Sequence, residues 1–235
     1  MNFIKSNHYD INFVKENMMG PNSMKTIEEL SESLYLERGM RVLDLGCGKG
    51  LTSIFLAKEY GVTVFATDLW ISATDNYNRF KGIGLEDKII PIHAEAHNLP
   101  FAHEFFDVAV SIDAYHYFGA KEGYLSEHLA PLIKKGGQIA VSIPGIKHEF
   151  TNGIPTELLP YCSYDMNFHS CNWWRDLWEK SDLVSVQECK EMRCFKEAWQ
   201  DWLSYDKDSK EDDIKMLEGK NADYFNLVSI KAIRL

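Results

Sequence analysis

The sequence has no uninterrupted apolar run long enough to cross a bilayer, and its opening, MNFIKSNHYDINFVKENMMG, has too few consecutive apolar residues for a signal peptide. No membrane anchor is expected, and a cytoplasmic setting is. Cysteines number only five, Cys47, Cys162, Cys171, Cys189 and Cys194, and no CxxC pair suggests zinc or a redox couple. Their odd number and wide spacing fit a reduced compartment. Basic residues are scarce too: 25 Lys and Arg face 35 Asp and Glu, a formal charge of -10. The longest basic run is Lys134 and Lys135. Binding a phosphate backbone requires a basic stripe, so nucleic acid is not an expected partner. Seven prolines and fifteen glycines among 235 residues, with 45% apolar and 26% charged, exclude collagen-like and disordered chains. One core is expected at this length.

Apolar periodicity gives the organisation. Ile27, Leu30 and Leu34 recur on one face and predict a helix over about Met24 to Leu36, capped by Asn22 or Ser23. The polar and aromatic stretch before Pro21 shows no period, so residues 1–39 read as a helical arm whose leading part is mobile or lid-like. From Met40 the chain alternates strands and helices: RVLDLG, a helix from Leu51 to Tyr60, VTVFATD, a helix through Tyr77 and Arg79, KIIPIHA, FFDVAVSID, a helix in KEGYLSEHLAPLI, and QIAVSIP entered through a Gly136–Gly137 turn. Residues 145–181 loosen into an insertion ending in an aromatic helix near CNWWRDLWEK. Beyond it lie a strand near LVSVQEC, a helix near FKEAWQDWLSY, the acid-rich run Asp206 to Asp213 and a final strand, YFNLVSIKAIRL. The last two strands suit an edge hairpin.

The strongest local signal is Asp44-Leu45-Gly46-Cys47-Gly48-Lys49-Gly50, where an apolar strand runs into three alternating glycines just before a helix. Absent side chains let a ligand approach the main chain. Leu51 occupies the position where a dinucleotide fingerprint needs glycine, and Gly50 follows Lys49 where a phosphate loop needs Ser or Thr. The loop instead resembles motif I of the class I S-adenosylmethionine-dependent methyltransferases, acid-x-Gly-x-Gly-x-Gly, which Asp44, Gly46, Gly48 and Gly50 fill. The resemblance extends from about Met40 to Pro144. It implies a Rossmann-like α/β three-layer sandwich, with a mostly parallel seven-stranded sheet and a C-terminal antiparallel edge hairpin, in a domain spanning 40–235. The implied cofactor is S-adenosylmethionine.

Further matches place that cofactor. Asp68 ends the second strand, 22 residues after Gly46, where a carboxylate can accept both ribose hydroxyls. The resemblance puts Glu95 beside the adenine amine, with Ala96 leaving the base room; Leu69 and Trp70, just beyond Asp68, are placed to cover apolar parts of the nucleoside, with helix packing the other reading of Trp70. The resemblance also puts Asp44 beneath the methionine ammonium, with Cys47 a small packing residue between the glycines, and Ser111 joins this group. The acceptor is expected beyond the fourth strand, over the strand C-termini. There His116 is the preferred proton acceptor or positioning group, Asp113 its orienting partner, and Tyr115 and Tyr117 either pocket wall or packing. Tyr9 in the arm and Tyr164, His169 and Trp173 in the insertion are expected to join an apolar roof over the substrate.

The segment Asp113-Ala114-Tyr115-His116 departs from the Asn/Asp-Pro-Pro-aromatic pattern of enzymes that methylate nucleic-acid bases or protein amides. Together with the negative charge, this favours a small soluble acceptor methylated on oxygen, nitrogen or sulfur, by a monomer or homodimer. Two alternatives stay open: a noncatalytic cofactor-binding regulatory or scaffold protein, and an arsenite or thiol methyltransferase using clustered cysteines. His93, His97 and His103 match no zinc spacing, so no metal is expected.

Overall fold

The computed structural model describes residues 3–205 and 211–235. Seven strands form one sheet in the order β3-β2-β1-β4-β5-β7-β6: β1 (Arg41–Leu45), β2 (Thr63–Asp68), β3 (Ile89–His93), β4 (Phe106–Ile112), β5 (Ile133–Ile146), β6 (Val184–Glu191) and β7 (Phe225–Arg234). The first five strands pair in parallel, and β7 lies antiparallel between β5 and β6. This is the mostly parallel sheet with an antiparallel edge that the resemblance implied.

Alternation along the central strands makes the three layers. Val42, Val64, Val108 and Val110 face one core, covered by α2 (Ser23–Ser31), α3 (Leu51–Tyr60), Phe80 of α4 (Ala73–Gly82) and Ala198 of α6 (Phe195–Ser204). Leu43, Leu45, Ala109, Ile139 and Val141 face the opposite core, which contains Tyr115 and the Trp174 and Trp178 rings of α5 (Cys171–Trp178). Adjacent residues on one strand thus bury into different cores, as a period of two demands. Among the described residues no helix is long and apolar enough to cross a membrane.

Several elements differ from their sequence expectation. The arm is ordered: a 3-10 turn at Ser6–His8 precedes α1 (Ile11–Asn17), and Glu28 ties it down by accepting from Ser6 N and Oγ at 2.8 and 2.6 Å. Helix α2 starts where expected, with Asn22 Oδ1 accepting from Met24 and Lys25 N–H, but ends at Ser31. The following residues peel away because Gln138 of β5 binds the Tyr35 main chain on both its N–H and its carbonyl, at 3.0 and 2.8 Å. KEGYLSEHLAPLI forms no α-helix but a π turn at Leu125–Leu129 and a 3-10 turn at Ala130–Leu132, since Pro131 lacks the N–H that a continuing helix needs. Gly136 and Gly137 do not open β5; they lie within it, where its register against β4 shifts between Phe106 and Val108. Of the acidic run read as a solvated linker or helix surface, residues 206–210 lie outside the described residues, and Glu211–Met216 forms α7.

Candidate active site

From β1 the chain crosses to β2 on one side, while β4 pairs on the other, so the sheet order reverses between β1 and β4. Ligands of open α/β sheets bind over the strand C-termini at such a reversal. A cavity of about 240 Å³ lies there, its walls supplied by Leu45 to Lys49 after β1, Thr67 to Trp70 after β2, Ala94 to His97 after β3 and Ile112 to Ala114 after β4.

The glycine loop is held by packing as well as by its turn. Gly46 has φ +75°, and a Cβ built there would lie 2.3 Å from the Ala114 Cβ, so the loop after β1 and the segment after β4 touch without room for a methyl group. Below the loop, Asp44 is buried; its Oδ2 accepts from Ser53 Oγ at 2.6 Å, and its Oδ1 has no partner among the described residues. Burial, with the Asp68 charge adding, pushes its pKa up to about 7. Cys47 is buried, and desolvation drives its thiol well above the usual range, which suits packing and not nucleophilic attack.

Asp68 accepts three main-chain hydrogen bonds: Gly48 N–H to Oδ2 at 2.8 Å, and Trp70 and Ile71 N–H to Oδ1 at 2.7 and 2.9 Å. The carboxylate is thereby fixed at the loop's edge, and Oδ2, with a single donor, retains acceptor capacity. Glu95 lies across the cavity with Ala96, but His97 occupies both its oxygens, through its N–H at 2.9 Å and its Nδ1 at 2.7 Å. That hydrogen bond to His97 holds the Glu95 carboxyl below the ordinary range. Leu69, Gly48 and Ala96 line the cavity, whereas Gly50 and Ser111 do not: Gly50 packs against Phe80, and Ser111 Oγ is buried within the sheet.

On the acceptor side the structure divides the expected residues. Asp113, Tyr117 and Phe118 face the cavity. Tyr115 and His116 point the other way, because the 3-10 turn at Tyr115–Tyr117 carries successive side chains around its axis. Tyr115 is a core residue packed on Trp174 and Trp178. His116 is 3% exposed, its ring 4.0 Å from that of Tyr117 and 5.6 Å from that of Phe168, and its Nδ1 is buried without a partner among the described residues. Burial pushes its pKa down to about 4. The expected His116–Asp113 pairing is absent among the described residues.

The roof is also built differently. Asn17, Met19, Gly20 and Pro21 cover the cavity, while Tyr9 packs on Phe55 and donates to Glu59 at 3.0 Å, away from it. Two contacts join this roof to the loop and α4: Lys49 Nζ donates to the Glu16 carbonyl at 2.9 Å, and Arg79 Nε to Asn17 Oδ1 at 2.8 Å. Tyr164 and His169 line a separate cavity of about 130 Å³ under the insertion, and Trp173 stacks on His169 at 3.6 Å. The insertion residues therefore do not roof the larger cavity. Sequence reading missed Met19 to Pro21; the Gly20–Pro21 pair was its visible signal.

The other motifs do not assemble. His93 Nε2 is 2.8 Å from the Leu69 carbonyl, His97 is on Glu95, and the described residues contain no group of three or more side chains suited to a metal ion. Cys189 Sγ lies 3.2 Å from the Cys171 carbonyl, but Cys162 is at the smaller cavity, Cys194 is beside Glu29 and Cys47 is in the loop. These positions give no three-cysteine cluster for a metalloid.

Residues 42–137 match the family described as Methyltransferase domain. Residues 42–137 thus carry a methyltransferase domain, on the fold of the class I S-adenosylmethionine-dependent methyltransferases. The methyltransferase GfsG of Streptomyces halstedii is 30% identical over 116 residues, covering 49% of this chain and 41% of that protein. This methyltransferase domain thus spans less than half the length of that curated relative. Among solved structures, geranyl diphosphate C-methyltransferase of Streptomyces coelicolor A3(2) superposes with a TM-score of 0.72 at 14% identity, covering 89% of this chain and 78% of that one. Phosphoethanolamine N-methyltransferase 2 of Haemonchus contortus gives 0.73 at 18%, covering 99% and 60%. At such identities the likeness concerns the fold.

Proposed function

We propose that this protein transfers a methyl group from S-adenosylmethionine to an oxygen, nitrogen or sulfur atom of a small molecule. The observation that carries the reading is the joining of the glycine loop and Asp68 at one cavity over the β1–β4 reversal. The residues present fit the cofactor. Asp44 lies buried under the loop, outside the cavity's lining, with Oδ1 unpartnered among the described residues beneath the amino-acid end of the cofactor, and Asp68 Oδ2 retains acceptor capacity for a ribose hydroxyl. Leu69 and Ala96 offer apolar and small walls for a base. When bound, the cofactor supplies a methyl carbon on a positively charged sulfonium, open to attack by an acceptor lone pair. The chain's own task is to align the partners and exclude water.

Asp113 and Tyr117 face the acceptor in this reading. His116 acts behind them as a positioning group, packed against Tyr117 with the two rings tilted, and its burial disfavours the protonated form that a base must reach during turnover. Residues 1–39 form the lid, through Asn17 to Pro21, and residues 40–235 form the catalytic domain. Two of the similar structures are, by name, a C-methyltransferase and an N-methyltransferase, so one fold serves different acceptor atoms.

Two measurements test this. Calorimetry should detect S-adenosylmethionine uptake by the folded protein. Mass spectrometry after incubation with methyl-labelled cofactor and a small-metabolite extract should find a labelled product that heat-treated protein does not make. Uptake without any labelled product would favour the noncatalytic binding alternative, and no uptake by folded protein would defeat both.

A further inference from the structure

Five acidic or basic side chains line the larger cavity: Lys49, Asp68, Glu95, His97 and Asp113. Four of them are engaged within the protein. Lys49 is on the Glu16 carbonyl, Asp68 holds three main-chain N–H groups, and Glu95 and His97 hold each other. Asp113 is the exception, its carboxylate having no hydrogen-bond partner among the described residues. Its placement is specific, since its N–H donates to the Ser142 carbonyl of β5 at 2.9 Å and its backbone takes a left-handed φ of 56°. Overhead, Gly20 leaves room for it: a Cβ built on Gly20 would lie 1.9 Å from Asp113 Oδ2.

Its surroundings suit a cation. Trp70 and Tyr117 line the same cavity with ring centroids 5.2 Å apart, 65% and 61% exposed, presenting aromatic faces to whatever enters. Asp213, held by Trp202 Nε1 at 3.0 Å, adds negative charge felt at both Asp113 and Tyr117. With a hydroxyl or thiol acceptor the shielded Asp113 carboxyl keeps its proton, whereas an alkylammonium supplies the countercharge that favours its ionised form.

We infer that the acceptor is a small primary or secondary amine, whose protonated nitrogen pairs with Asp113 beside the Trp70 and Tyr117 rings. The inference rests on the methyl-transfer reading above and narrows its acceptor. The ammonium passes one proton to an Asp113 carboxylate oxygen and becomes a neutral amine. The nitrogen lone pair then forms the new bond to the methyl carbon, the carbon–sulfur pair remains on sulfur, and the product leaves as a methylated ammonium. Burial, with the Asp213 charge adding, pushes the Asp113 pKa up to about 8, nearer than an ordinary carboxylate to the roughly 10.4 of an alkylammonium, so the transfer is less uphill.

Two arms test the assignment with a small-metabolite extract, used untreated and after its primary and secondary amines are capped with an acetylating N-hydroxysuccinimide ester. In the first, trideuteromethyl-labelled S-adenosylmethionine is supplied and products are fragmented; the labelled product should fall at least about tenfold after capping, with the label on nitrogen. In the second, saturation-transfer NMR on protein loaded with S-adenosylhomocysteine should show bound amines with the wild type. Asp113→Asn should lose them while holding the loaded compound within about threefold. Label on oxygen or sulfur, a product that survives capping, unchanged amine binding by Asp113→Asn, or no labelled product from a protein that binds S-adenosylhomocysteine each overturns the amine. Failure of the folded wild type to bind that compound is a distinct result; it defeats the methyl-transfer reading and this inference with it.

Discussion

The two sides of the cleft handle polar groups in opposite ways. Beside β1 to β3, the protein's own donors fix the carboxylates: Asp68 by three N–H groups, Glu95 by His97, and one oxygen of Asp44 by Ser53. Beside β4, the Asp113 carboxylate has no partner among the described residues. Groups already fixed cost no reorganisation when a constant ligand arrives. A group left bare in a shielded cleft is costly until its ligand comes, so its chemistry indicates what that ligand must bring. The first side therefore describes the donor, and the second the acceptor.

The sharpest way to break this contrast is at the seam. Gly46→Ala forces a non-glycine residue to φ +75° and drives its Cβ into Ala114, so a loss of about 3 kcal/mol or more is expected in denaturant titrations. Retained stability would show that the two sides are not packed together there. Next comes Asp68→Ala, which removes an acceptor used by three N–H groups; cofactor affinity should drop about 100-fold, or ~2.7 kcal/mol, by calorimetry. Unchanged affinity in a folded variant would contradict the ribose role.

Smaller effects probe the buried titratable groups through pH. Because the folded-state pKa of His116 is lowered to about 4, the unfolded chain binds the extra proton first; its contribution is present above about pH 6.5 and is lost as pH falls toward 4. His116→Phe should remove about 1–2 kcal/mol of that acid loss while leaving the cofactor affinity unchanged. An unaltered pH profile would show that His116 is not held neutral by its surroundings. Asp44 has the opposite sign. Its raised pKa makes its contribution greatest below about pH 3.8 and lost as pH rises through about 7, so Asp44→Asn should flatten that decline by roughly 1 kcal/mol in the ligand-free protein. Urea midpoints across pH 4 to 8 measure both.

Much of the donor side was readable because it is written locally. Asp44 to Gly50 are contiguous, Asp68 ends β2, and Glu95 follows the end of β3 by two residues. The parallel sheet was readable from the same alternation. The acceptor side was less so, because a three-residue 3-10 turn decides which of Asp113, Tyr115, His116 and Tyr117 face the cavity, and apolar periodicity does not resolve so short a turn. The roof was misjudged for another reason: the aromatic residues of the arm and insertion are consumed by packing, Tyr9 on Phe55 and Trp173 on His169, while small residues near Gly20 make the cover. The early ending of the first long helix depended on Gln138, more than a hundred residues away, a pairing that no local window contains.

Gly20 gives this architecture an unusual economy. Over the cavity, a missing methyl gives the Asp113 carboxylate its room, since a Cβ on Gly20 would lie 1.9 Å from Asp113 Oδ2. A single carbon atom at Gly20 would therefore turn the Asp113 carboxylate aside and leave the three N–H groups on Asp68 in place.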